Sequence, residues 1–124
     1  METLCLVLSD DLLDASRIIG EAREAGWTAT QCRDSTVLLA AAARRPALVV
    51  VDLHNPGLDI VSLASNLKSF GATVVGFGSH VDASRLKTAR QAGCDEVMPR
   101  SAFFAELGLK MANWATRATP NSNP

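Results

Sequence analysis

The residues of this chain best placed to do chemistry are aspartates standing where apolar runs end. Leu48, Val49, Val50 and Val51 form a short continuous run rich in β-branched residues. Asp52 closes it, just before Asn55-Pro56-Gly57 turns the chain. A run of this kind, bounded by punctuation, reads as a strand buried on both faces of a parallel sheet. Ligands bind at the carboxyl edge of such a sheet, so a carboxylate there is a candidate for chemistry. A second run, Leu4 to Leu8, ends at Ser9-Asp10-Asp11. Carboxylates from neighbouring strand ends are hard oxygen donors of the sort Mg²⁺ takes.

The elements that must position these residues are legible from apolar spacing. Leu12, Ala15, Ile19 and Ala22 recur at helical intervals, and Gly26 closes that helix. Residues 27–32 fit a strand. Asp34 or Ser35 can cap a helix through Leu38 and Leu39 to Arg44-Arg45, which Pro46 ends. A third helix over residues 58–70 carries Val61, Ala64, Leu67 and Phe70 on one face, and Gly71 stops it. Residues 73–77 are a fourth strand, and Asp82 or Ser84 can cap a helix ending at Gly93. Residues 96–98 make a short fifth strand. Ser101 can cap a last helix with the stripe Phe103, Leu107, Met111 and Trp114, interrupted at Gly108. Trp114 is either core or an exposed anchor on this reading.

Strand and helix thus alternate five times, which predicts an α/β fold with helices on both faces of a parallel sheet. The expected architecture is a flavodoxin-like, doubly wound sheet of five strands in the order 2-1-3-4-5, with five helices. Residues 1–118 form one domain, and the polar residues 119–124 a flexible tail. The first and third strands are neighbours in that order, which brings Asp10 and Asp11 beside Asp52.

Two stretches, residues 46–59 (P-A-L-V-V-V-D-L-H-N-P-G-L-D) and 89–100 (A-R-Q-A-G-C-D-E-V-M-P-R), resemble the receiver domains of two-component response regulators. The resemblance runs from Leu4 to about Leu107. It implies that Asp52 accepts a phosphoryl group from a histidine kinase or phosphotransfer protein, with Mg²⁺ held by Asp10 and Asp52. Two alignments remain open at the first strand: Ser9 and Asp10 as the family's acidic pair, or Asp10 and Asp11.

The family's lysine falls on Arg100 and its following cis-proline on Ser101. The switch threonine or serine falls on Gly78, with Ser79 one place later as a substitute. The aromatic switch position is Val97, and Ile60 stands where glycine is usual. Gly78 has no hydroxyl, and arginine does not replace a compact ammonium conservatively. An atypical, stand-alone receiver is the expected class, relaying a signal through protein contacts. It would be no enzyme beyond self-catalysed phosphorylation and dephosphorylation of Asp52. Its downstream partner would dock on the face of the fourth helix, fifth strand and fifth helix, and a homodimer is another use of such a face. The alternative is a pseudo-receiver that binds or dimerises without phosphorylation.

Other classes have less support. Net charge is −1 over 124 residues, so nothing draws the chain to nucleic acid or an anionic membrane. No apolar run approaches the roughly 20 residues of a membrane span. Cys5, Cys32 and Cys94 are an odd, unpaired set, which suits reduced thiols in a cytoplasmic protein and small apolar groups in or near a core. No glycine-rich nucleotide motif occurs. Residues 52–57 do spell D-x-H-x-x-G, as in cobalamin-binding domains, but after the third strand and with no Gly-Gly downstream. A flavodoxin-like ligand-binding domain is therefore a remote third reading, and a solvent-facing loop position the expected one for His54 and His80.

Overall fold

A computed structural model describes residues 3–118; the expected tail, residues 119–124, lies outside the described residues. The element order is β1 (Leu4–Leu8), α1 (Leu12–Glu24), β2 (Thr28–Cys32), α2 (Ser35–Ala41), a 3₁₀ turn (Ala42–Arg44), β3 (Leu48–Asp52), α3 (Ile60–Ser69), β4 (Thr73–Gly78), α4 (Ala83–Gln91), β5 (Glu96–Pro99) and α5 (Arg100–Ala118). All strands are parallel, in the order β2-β1-β3-β4-β5. The chain winds outward in one direction from β1 and in the other from β3. That reversal opens a crevice at their carboxyl ends.

Strand periodicity sorts the core into two layers. Leu4, Leu6 and Leu8 of β1, with Val49 and Val51 of β3, face Leu38, Leu63, Leu67 and Leu86 from α2, α3 and α4. Cys5, Val7, Leu48 and Val50 face Ile18, Phe103, Leu107 and Met111 from α1 and α5. Both central strands are therefore buried along their whole length. Cys5 and Cys32 are fully buried and Cys94 partly so. Burial pushes the Cys5 thiol up to about 12, and burial with nearby Asp95 pushes Cys94 to about 11. Neither thiol is primed for reaction.

Several helix details differ from expectation. In α1, Leu12 is 62% exposed and Ile18 takes the central core place, with Ile19 packed at its margin. Helix α3 begins at Ile60 because Asp59 caps it; Leu63, Ala64 and Leu67 face inward while Val61 and Phe70 are exposed. Ala64 and Leu67 hold the expected stripe, while Leu63 takes the core place expected of Val61 and Phe70 falls outside it. Helix α5 starts at Arg100, directly from β5, so Ser101 is inside the helix rather than its cap. Trp114 is core, 2% exposed.

Nor does Gly108 interrupt α5. It lets α1 approach: a Cβ there would stand 2.8 Å from Glu21 Oε2, the mobile end of a long side chain. Because that carboxylate can swing away, Gly108→Ala is expected to stabilise the fold by about 0.5–1 kcal/mol through helix propensity. Urea denaturation of the variant checks it, and a destabilised variant would mean that Glu21 is held in place.

Candidate functional site

The carboxyl edge of the sheet carries the site, and register places its members. Leu8 pairs with Val51, so Ser9 and Asp52 follow side by side. Asp52 pairs with Phe77, and Gly78 with Pro99. A pocket of about 330 Å³ opens there, lined by Asp10, Asp11, Asp14, Asp52, His54, Phe77, Gly78, Ser79 and Arg100. All five residues that the sequence singled out for chemistry, Asp10, Asp11, Asp52, Ser79 and Arg100, are brought together.

Their bonds are not those of an open acidic site. Asp52 is 8% exposed. Its Oδ2 accepts the Ser9 hydroxyl at 3.0 Å, and its Oδ1 accepts the His54 N–H at 2.9 Å. Ser9, fully buried, accepts in turn from the Asp11 N–H at 3.2 Å. If Ser9 and Asp10 are the family's acidic pair, a neutral hydroxyl stands at its first position, against the Asp52 carboxylate. Asp10 is exposed, and its N–H donates to Asn55 Oδ1 at 2.7 Å. The buried Asn55 amide ties the two strand-end loops together, donating also to Arg33 O.

Asp11 has a structural task. It caps α1 by accepting the Asp14 N–H at 2.9 Å, as Asp34, Asp59 and Asp82 cap α2, α3 and α4. A cap of this type is worth about 0.5–2 kcal/mol. That bond occupies one of the two carboxylate oxygens of Asp11, Oδ1. Among the described residues no three His, Cys, Asp or Glu side chains converge closely enough to hold a metal ion. Mg²⁺ is held through one or two carboxylates, with waters completing its octahedron, and Asp10 and Asp52 at this pocket are the carboxylates that would hold it.

Arg100 reaches the pocket but does not pair with Asp52. Both its Nη atoms donate to the two carboxylate oxygens of Asp14, each at 2.5 Å. These hydrogen bonds, against some desolvation and with help from the charges of Asp14, Asp52 and Asp11, hold the guanidinium pKa above its ordinary value. The same guanidinium lies 4.9 Å over the Phe104 ring, and Arg17 lies 4.7 Å over it as well. Bidentate pairing plus ring stacking is geometry that arginine makes and lysine does not.

Ser79 lines the pocket. Its N–H donates to His54 Nε2 at 2.9 Å, while its hydroxyl accepts the Val81 N–H at 3.3 Å within the turn before α4. His54 is exposed, yet its Nε2 is occupied by that amide. The D-x-H-x-x-G spelling accordingly marks a loop tie on β3.

Sequence reasoning missed Asp14 and the roles of Ser9, His54 and Asn55. Asp14 had a signal: it stands three residues after the cap Asp11, where a capping box carries an acidic or amide side chain. The partner of His54 had none, since Ser79 contributes only a main-chain N–H.

The fold defined by this topology and site is that of response-regulator receiver domains. No protein-family model matches the chain, and no curated protein sequence matches it either. Solved structures do. A response regulator receiver domain protein from Clostridium thermocellum is 18% identical, covers 93% of this chain and 95% of its own, with a TM-score of 0.77. The receiver domain of the Francisella response regulator 1452 is 21% identical over 95% of this chain and 100% of its own, with a TM-score of 0.76. A response regulator from Burkholderia pseudomallei, solved with a phosphorylated aspartic acid, calcium ion and citrate, is 18% identical over 99% of this chain and 76% of its own, with a TM-score of 0.72. Identities this low speak to the fold. No helix among the described residues is long and apolar enough to cross a membrane.

Proposed function

We propose that this chain is a signalling module of receiver type that works by binding partner proteins in a fixed conformation, the pseudo-receiver reading. One observation carries it: the Asp52 carboxylate is a closed hydrogen-bonding node. One oxygen is held by Ser9 and the other by the His54 N–H, while Arg100, the nearby cation, is committed to Asp14. Phosphorylating Asp52 would require the Ser9 bond to break, with no hydroxyl at Gly78 to receive the new oxygens. The partner face of α4, β5 and α5 is firmly built. Lys110, Trp114 and Arg117 of α5 all donate to the Glu96 carboxylate of β5. A downstream protein or a second copy of this chain would meet a rigid surface there.

A second reading keeps Asp52 as phosphoacceptor, fed by a histidine kinase or phosphotransfer protein and assisted by Mg²⁺ at Asp10 and Asp52. Its support is that Asp10, Asp52, Ser79 and Arg100 line one pocket, together with the phosphorylated aspartic acid of the Burkholderia structure. Intact mass after incubation with Mg²⁺ and acetyl phosphate separates the two. The expected result is no adduct on folded wild-type protein. A single phosphoryl adduct, absent from Asp52→Ala, would establish the phosphoacceptor instead.

A further inference from the structure

The segment after Asp52 is fastened at three points, to β4, to α4 and to the turn between them. Leu53 N–H donates to Phe77 O at 2.9 Å, continuing the sheet one residue past the end of β3. The Leu53 carbonyl accepts from Arg85 Nη1 of α4 at 3.0 Å, and the His54 imidazole accepts the Ser79 N–H at 2.9 Å. Arg85 is itself aligned by its Nε–H bond to Asp82, the α4 cap. The imidazole also lies against the bare backbone of Gly78, where a Cβ would approach Nε2 to 3.2 Å. Position 78 is thus matched to His54: the missing side chain leaves the room that the ring takes.

We infer that His54 and Arg85 form a two-point latch joining the Asp52 loop to the start of α4, so that the two move as one unit. Each bond spans separate elements and binds a main-chain group. With both closed, the loop carrying Asp52 and the helix bordering the partner face have one mutual arrangement. A ligand or partner that pulled Arg85 from Leu53 would therefore disturb the Asp52 node, and the converse holds by linkage. Arg85 borders a groove of about 510 Å³ between the starts of α3 and α4. Occupancy of that groove is thus wired to the Asp52 site. The inference deepens the fixed-conformation reading by naming what fixes it.

The test is amide hydrogen exchange by NMR on the full chain, comparing wild type with His54→Phe, which keeps a ring but loses the acceptor, and with Arg85→Ala. His54→Phe is expected to speed exchange of the Ser79 amide by about 2- to 12-fold, the worth of one ordinary hydrogen bond. Arg85→Ala is expected to speed exchange at Leu53 and also at Ser79, while Leu6 and Val7 in β1 stay protected in both. Unchanged Ser79 exchange in His54→Phe would overturn the latch. So would an Arg85→Ala effect confined to Leu53, since the two points would then be independent. The latch and the fixed-site reading fail separately: a phosphoryl adduct with intact coupling sinks only the reading, and lost coupling without an adduct sinks only the latch.

Discussion

Phe77→Ala is expected to lower the unfolding free energy by about 3–5 kcal/mol, the usual cost of emptying a buried aromatic site. Phe77 is 1% exposed. Its ring stacks on Phe103 at 4.5 Å between centroids and meets Phe104 edge-on at 5.5 Å. Those two rings also meet edge to face, at 5.1 Å. Phe104 carries the Arg17 and Arg100 guanidinium groups on its faces, so the cluster extends from the sheet to the rim of the pocket. Removing Phe77 takes away the floor on which α5 rests. Truncation cannot be relieved by small shifts, because both neighbours are held on one rigid helix. Urea denaturation measures the effect, and thermal melting should show a drop of roughly 10–20 °C. A loss under about 1 kcal/mol would mean that α5 collapses onto the sheet with ease, against the rigid partner face proposed above.

Glu96→Ala is expected to cost about 2–3 kcal/mol, because three α5 donors lose one acceptor together. Trp114 matters most. Its indole is buried, and its Nε1–H reaches Glu96 Oε2 at 2.7 Å. Water could replace the carboxylate at the more exposed Arg117 and, in part, at Lys110. Burial of Glu96 acts to raise its pKa, but the hydrogen bonds from Lys110, Trp114 and Arg117 and the Lys110 charge outweigh it, and the net shift is downward. The folded carboxyl thus binds its proton less readily than the unfolded one. Its contribution is fully present above the unfolded pKa and is lost as pH falls through the folded value. Wild type should accordingly lose more stability than Glu96→Gln on acidification from about pH 5 to about pH 3. Equal slopes for the two proteins would show that the cluster contributes no proton-linked stability.

Most of the fold was legible because it rests on local rules. Short β-branched runs specify buried parallel strands, and alternation with amphipathic segments specifies the doubly wound sheet. The order 2-1-3-4-5 then puts Ser9, Asp10, Asp11 and Asp52 at one crevice. Asp34 and Asp82 were legible as caps for the same reason: a cap is satisfied within its own turn. The edges of the α3 stripe were not, because residues 58–70 offer apolar side chains on more than one face. Only the cap Asp59 and the sheet beneath decide that Leu63 goes in and Val61 stays out.

What the sequence by itself determined, then, is the receiver-type sheet and the gathering of acidic residues at its switch point. The tertiary structure alone decided what those residues do. A carboxylate's role is set by which donors lie within about 3 Å of it, and here, beside the local Asp14 and His54 amides, decisive ones come from far along the chain. Ser9 reaches Asp52 across 43 residues, Arg100 reaches Asp14 across 86, and the Ser79 amide reaches His54 across 25. Strand register and helix packing choose those partners, so the same aspartate can read as an open acceptor in one dimension and stand as a closed node in three.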